Sequence, residues 1–368
     1  MSAKQELPTI IEATLMPLLN VLVALLVSGL VVWGLGEDPV FALSLLIEGA
    51  FGYEEAIGYT FYYATNFIFT GLAVSVAFHA GHFNIGGEGQ AMLGGLGLTL
   101  AVFWLGDTAP VLTVLLAIAG AALFGAGWAF IPAWLQAHRG SHIVITTIMF
   151  NFIASALLAY LLVGPLQRPG GQMPESSDFP EGVGLLQFHE LLEMFGIAFE
   201  QSPLNLSFVI ALVAAFLVWF LLTRTRFGYE MRVAGKNSHA AAFAGVSVPR
   251  VTVIALMMSG ALAGMMGLNE LLGEQLRLIG NFTLGYGFVG IAVAFMGRNH
   301  PFGIVLAAIL FGILYQGGAE LAFEMPNITR DLIVVIQGLV ILFAGAMPHL
   351  LRAPVASLYS RFAAKEAQ

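Results

Sequence analysis

The 368-residue chain contains no cysteine. That excludes disulfides, thiolate metal sites and a cysteine nucleophile. Charge is scarce as well. Asp, Glu, Lys and Arg make up 10% of the residues, against about 25% in a soluble globular chain. No G-x-x-x-x-G-K-[ST] stretch occurs, so the chain has no P-loop of its own. The eight histidines are scattered, and neither H-E-x-x-H nor G-x-S-x-G is present, so enzyme chemistry has no visible support. What remains is apolar: 58% hydrophobic residues and a mean hydropathy of +0.87. This is the composition of a polytopic, all-α membrane protein, read here as a single transmembrane domain over 1–368. Lys4, Glu6 and Glu12 precede a long apolar run with no A-x-A site after it. A retained first span is therefore expected, not a removed signal peptide.

A spanning helix needs roughly 20 mostly apolar residues. About ten candidates follow, at 16–35, 60–79, 86–105, 110–135, 143–164, 206–223, 251–272, 284–297, 301–319 and 329–348. The eighth is short, bounded by Gly285 and Gly287 at one end and Gly297 at the other, and suits a half-span or re-entrant segment. With the N-terminus inside and the spans alternating, only Arg168, Arg277 and Arg330 of the 14 Lys and Arg fall outside. The positive-inside rule then predicts an even number of spans with both termini cytoplasmic. Acidic residues fall mainly outside. Sidedness carries more information in such a chain than the net charge of −8.

Two loops are long. The outer one, 165–205, opens on turn signals (Gly164-Pro165, then Arg168-Pro-Gly-Gly171). Apolar residues at near-helical spacing over 185–199 then predict an interfacial or lid helix. A shorter outer segment, 41–51, is similar. Either segment fits an extracytoplasmic partner or plain packing at the membrane surface. The inner loop, 224–250, is the most basic part of the chain. Asn237 or Ser238 can cap a short helix over 239–244, and Gly245 can end it. A small-residue helix with one protruding aromatic, Phe243, fits a groove on a partner. The loop equally fits a seat on anionic lipid headgroups.

Between the second and third spans lies Gly81-His-Phe-Asn84-Ile-Gly-Gly-Glu88-Gly-Gln90. A carboxylate at membrane depth is costly unless it faces protein or a watery cavity, which makes Glu88 a functional candidate. If the stretch is helical from Asn84, Asn84 and Glu88 share a face. The other reading is a helix break with Glu88 bonded to backbone amides. The remaining intramembrane polar residues are mostly neutral, among them Asn66, Asn84, Gln90, Asn151, Ser259 and Asn269. Glu270 is the only other carboxylate that fits membrane depth, and its position also fits the outer edge. Neutral amides suit a neutral, hydrogen-bonding solute; each one alone also fits an interhelical hydrogen bond. The aromatics at 61–63 fit an interfacial belt. Ser259-Gly260…Gly264…Gly267 predicts close helix packing. A short similarity links Gly71-Leu-Ala-Val…Phe83 to Gly290-Ile-Ala-Val…Phe302.

Three segments together resemble a known family. Phe83-Asn-Ile-Gly-Gly-Glu-Gly-Gln90 resembles the F-N-I-G-x-E-G-Q signature of ABC-transporter permeases of the simple-sugar and nucleoside importer type. Gly140-Ser-His-Ile-Val-Ile-Thr-Thr-Ile-Met-Phe-Asn-Phe-Ile-Ala154 resembles a second motif of that family. Ile143 stands where the family has an acidic residue, so no charged contact carries over there. Residues 226–245 resemble the cytoplasmic coupling segment. The matches extend over most of 60–300. The resemblance implies a multi-pass permease subunit in a bacterial plasma (inner) membrane, among membrane lipid. It implies a cytoplasmic ABC ATPase, a second permease subunit, identical or homologous, and an extracytoplasmic substrate-binding protein or lipoprotein as partners, and no nucleic acid. It implies no cofactor on this chain and ATP hydrolysed by the partner ATPase. The longer outer loop and the Arg-Thr-Arg-Phe-Gly-Tyr form look like the nucleoside branch. A simple-sugar, ribose-like permease and an ATP-independent secondary carrier are the alternatives. Polarity and resemblance together name Asn84, Glu88, Gln90, Asn151 and Asn269 as the translocation path, and Arg232, Gly235, Asn237, Ala241, Phe243 and Gly245 as the ATPase-coupling set.

Overall fold

The computed structural model describes residues 16–106, 109–325, 327–329, 332–339 and 342. Lys4, Arg330, Arg352, Arg361, Lys365 and much of the expected tenth span lie outside the described residues, as do the chain termini. Among the described residues the regular structure is helical, with two isolated β-bridges. Six helices are long and apolar enough to cross a membrane: Glu54–His79 (α3), Pro110–Arg139 (α5), Ile143–Val163 (α6), Ser207–Arg224 (α8), Val248–Gln275 and Pro301–Glu324 (α13). The fifth comprises α11 (Val248–Gly264) followed by a π-helical segment, Leu268–Gln275. The other helices are α1 (Met16–Gly34), α2 (Pro39–Phe51), the Gly-rich α4 (Gly87–Leu105), α7 (Phe188–Glu193), α9 (Arg226–Lys236), α10 (Ser238–Phe243) and the short α12 (Tyr286–Met296).

The chain divides into two compact units. In the smaller, 1–52 with 313–368, Val32, Ala42, Leu321, Met325, Ile328, Ile333 and Ile336 form an apolar cluster. Asp38 caps α2 by accepting from the Val40 amide at 2.8 Å, and Pro39 follows in the first turn, where its missing N–H costs nothing.

The larger unit, 53–312, is organised around α3. In its most apolar window 83% of residues are buried, against 22% in α5. α3 is thus an interior helix, while α5, α6 and α8 turn Leu123, Phe152 and Leu217 outward, as a lipid-facing surface requires. The small-residue stripe on α11 packs as its spacing predicts. A Cβ on Gly260 would collide with the Gly125 carbonyl, and one on Gly264 with that of Ala121. Gly71 and Gly290, from the two similar segments, lie on the facing helices α3 and α12, where Gly290 packs against Thr70.

Two local expectations change. Over 185–199 only α7 is helical. The preceding loop instead pairs its backbone with 272–280: Ser176 N donates to Leu278 O, Phe179 N to Leu276 O and Leu185 N to Leu272 O. Backbone groups committed to that ladder are lost to a helix, and Gly196, at φ +75°, ends the short one that forms. Tyr62 is buried and not in a belt, because its hydroxyl bonds Glu270. Glu270 is itself buried, five residues before the end of the Val248–Gln275 span.

Candidate functional site

The 81–90 stretch does not continue as a helix from Asn84. α4 starts at Gly87, because the Asn84 side chain accepts from the Gly86 amide at 2.9 Å, an Asx turn that competes with helix. Asn84 and Glu88 therefore do not share a helical face. Asn84 Nδ2 donates to Gln90 Oε1 and to Ser259 Oγ, each at 2.9 Å. Ser259 Oγ in turn donates to the Ala73 carbonyl of α3 at 2.6 Å. Ala73 lies six residues before the end of α3, about 9 Å at the helical rise. The chain leaves α3, folds back alongside it, and begins α4 partway along the bundle.

Non-helical backbone at that depth must find partners inside the protein. Asn151 of α6 supplies two: its Oδ1 accepts from Gly89 N and its Nδ2 donates to Ile85 O, each at 2.9 Å. Glu88 faces the start of α12. Its Oε1 accepts from Thr283 Oγ1 at 2.5 Å and Gly285 N at 3.0 Å, and its Oε2 from Gly287 N at 2.9 Å. The carboxylate, 5% exposed, thus sits in the first turn of α4 and caps α12. Both helix N-termini carry partial positive charge, which a carboxylate offsets. Gly287 is required for this approach, since a Cβ there would collide with the Glu88 backbone.

Asn269 belongs to a separate cluster on the π-helical segment. Its Nδ2 donates to Asn66 Oδ1 at 2.9 Å and Tyr62 O at 3.0 Å, while its Oδ1 accepts from Asn205 Nδ2 at 3.0 Å and Ser207 Oγ at 2.8 Å. Asn66 Nδ2 donates to Glu270 at 2.6 Å. So the structure brings Asn84, Glu88, Gln90 and Asn151 into one tier and leaves Asn269 in another. Thr283, Asn205 and Ser207 had drawn no attention in the sequence. No periodicity marks them, and their partners lie 195, 64 and 62 residues away.

At the far end of α3 a second feature is built on α9 and α10. Thr225 Oγ1 accepts from Gly228 N and starts α9. Asn237 Oδ1 accepts from Ala240 N at 3.0 Å and starts α10. Gly245, at φ +81°, follows its end. Ala241 is buried, whereas Phe243 is 95% exposed. Gly235 touches the turn after α3: a Cβ there would collide with the His79 carbonyl, and one on Gly81 would lie 2.9 Å from Gly235 Cα. Arg232, partly buried, points into a cavity beside that contact.

A bundle with six helices long and apolar enough to cross a membrane, large apolar side chains turned outward and half-helices tied in its interior is that of a multi-pass membrane protein. The family described as branched-chain amino acid transport system, permease component, matches residues 56–345. The chain belongs to this family, whose members are transport subunits and not enzymes. It is 36% identical over 339 residues to the glucose ABC transporter permease protein TsgB13 of Haloferax volcanii, covering 89% of this chain and 86% of that one. It is 35% identical over 341 residues to the guanosine ABC transporter permease protein NupP of Bacillus subtilis, covering 90% and 93%. Identity to the nucleoside ABC transporter permease protein NupB of Lactococcus lactis is 29% over 330 residues, covering 89% and 90%. No solved structure matches the chain.

Proposed function

We propose that the chain is the permease subunit of an ATP-driven importer that carries a small neutral polar solute, a nucleoside in the first instance, by alternating access across a bacterial plasma membrane. The observation that carries this reading is α10. A six-residue helix is too short to stand alone, yet its one large apolar side chain, Phe243, is 95% exposed beside the basic α9. Such a helix fits a groove on a partner, here a cytoplasmic ATPase that hydrolyses the ATP, this chain binding no cofactor itself. Movement of α10 would pass through Ala241 and α9 to the Gly235–Gly81 contact, and from there to the re-entrant turn. Asn84, Glu88, Gln90, Asn151 and Asn269 would border the path, closed in this conformation and opened as their bonds exchange. The reading includes about ten spans with both termini cytoplasmic, a second permease subunit, identical or homologous, and an extracytoplasmic receptor. The names of two relatives favour nucleosides; that of the glucose permease keeps a simple sugar as the second reading.

The test is uptake of radiolabelled adenosine, guanosine, uridine, ribose and glucose into cells with and without this chain, under ATP supply and depletion. ATP-dependent nucleoside uptake lost with the chain is the expected result. Loss of sugar uptake alone moves the solute to the second reading. Uptake that survives ATP depletion makes the chain a secondary carrier and removes the coupling role of α10.

A further inference from the structure

A cavity of about 490 Å³ lies where the end of α3, α9 and the turn between α12 and α13 meet. Its lining carries Arg232, Lys236, Arg298, His79 and His82, and no carboxylate. A neighbouring cavity of about 380 Å³ shares His82 and Lys236 with it. Each is of a size that holds a small organic ligand.

Three observations point to an anion there. First, two of these cations, Arg232 and Lys236, have no counter-charge within the chain among the described residues. Glu230, the one carboxylate of α9, pairs with Arg226 at 2.9 Å. Like charges gathered in one cleft repel unless an opposite charge joins them. Second, Arg298 and Asn299 are consecutive non-glycine residues in the left-handed region, at φ +54° and +55°. Such a conformation costs about 1–3 kcal/mol per residue and persists only where the surroundings hold it. Here Asn299 N donates to Ala294 O at 2.7 Å and Ser75 Oγ donates to Asn299 O at 2.8 Å. The turn so held brings both residues to the cavity wall. Third, Asn299 is buried with its Oδ1 unpartnered, although it lines the cavity. Phe78 and Phe83 complete the wall, both packed on Phe295, with ring centroids 5.3 and 5.9 Å away.

We propose that this cavity binds an organic phosphate. The phosphate sits among Arg232, Lys236 and Arg298, a hydroxyl of the ligand donates to Asn299 Oδ1, and the apolar or planar remainder packs on Phe78 and Phe83. A free nucleotide and the headgroup of an anionic phospholipid both present this chemistry. Either would tie α9 to the α12–α13 turn. The site stands apart from the identity of the transported solute.

The test uses the purified full chain without any ATPase. Equilibrium dialysis measures radiolabelled ADP, with inorganic phosphate as competitor. Thermal unfolding is compared in phosphatidylcholine nanodiscs with and without phosphatidylglycerol. The variants are the double K236Q/R298Q, both exposed cations, and Arg139→Gln at the end of α5 as a control. Saturable ADP binding, weakened at least tenfold in K236Q/R298Q and unchanged in Arg139→Gln, supports a free organic phosphate. A phosphatidylglycerol-dependent rise in unfolding temperature, abolished in K236Q/R298Q, assigns the same site to the lipid headgroup. Should the double variant fail to fold, Lys236→Glu alone on the exposed end of α9 serves in its place. Neither effect in the unmodified chain, or effects the variants leave intact, overturns the proposal. So does a K236Q/R298Q chain whose only loss is association with an ATPase subunit.

Discussion

The re-entrant turn around Glu88 and the α9–α10 segment differ in where their polar and apolar groups find partners. Around Glu88 the amides and carboxylate are matched inside the chain: Asn84 with Gln90 and Ser259, Asn151 with 85 and 89, Glu88 with 283, 285 and 287. On α9–α10 the pattern is reversed. Phe243 stands in the open, and Arg232 and Lys236 have no ionic partner among the described residues. A region whose groups are satisfied internally holds the frame. The region that leaves an aromatic and two cations unmatched is the one where the proposed partners would bind. The Gly235–Gly81 contact is where the two regions touch.

Substitutions can break this contrast, and their expected effects on stability fall from one region to the other. Glu88→Ala strips three donors of their acceptor and two helix N-termini of their charge. At about 1–3 kcal/mol for each unsatisfied group, we expect a loss of about 4 kcal/mol, read as a large drop in unfolding temperature in detergent. A drop of only a degree or two would mean that the carboxylate is not the tie described. Gly235→Val forces side-chain atoms into the His79 carbonyl, and overpacking of this kind costs about 1–3 kcal/mol. Uptake should fall further than stability, since the same contact joins α9 to the turn; equal falls would argue against transmission through it. Asn237→Ala removes the cap of α10, worth about 1 kcal/mol. Faster amide exchange confined to 238–244 is the signature, and an unchanged exchange pattern would show that the cap is redundant. Phe243→Ala should shift stability by less than about 0.5 kcal/mol, as for a surface position, while abolishing co-purification with the ATPase. Retained co-purification would remove Phe243 from the docking surface.

Much of the architecture was legible because long apolar runs and small-residue spacing are local signals. The stripe from Ser259 to Gly267 predicted a close approach, and α11 packs on Gly125 and Ala121. The short apolar segment at 284–297 suggested a half-span, and α12 has eleven residues, 286–296, with its start capped by Glu88. Asn237 and Gly245 bracketed α10 correctly because capping is decided within four residues. The expected helix over 185–199 shrank to 188–193 because Leu185 pairs with Leu272, Leu186 and Phe188 pair with 204–206, and Gly196, at φ +75°, stops it at the other end. Tyr62 left the expected aromatic belt for the same kind of reason: its partner, Glu270, is remote in sequence.

The sequence by itself determined that this chain lies in a membrane, where helices form and end, and which family it belongs to. These follow from composition, from runs of about 20 apolar residues, and from motifs read within a few positions of each other. The tertiary structure decided which polar side chains meet. Glu88 and Thr283 are 195 residues apart in the chain and 2.5 Å apart in space. Their pairing depends on a re-entrant turn and a half-helix arriving at one depth, where the absence of water leaves each polar group only the protein itself as a partner.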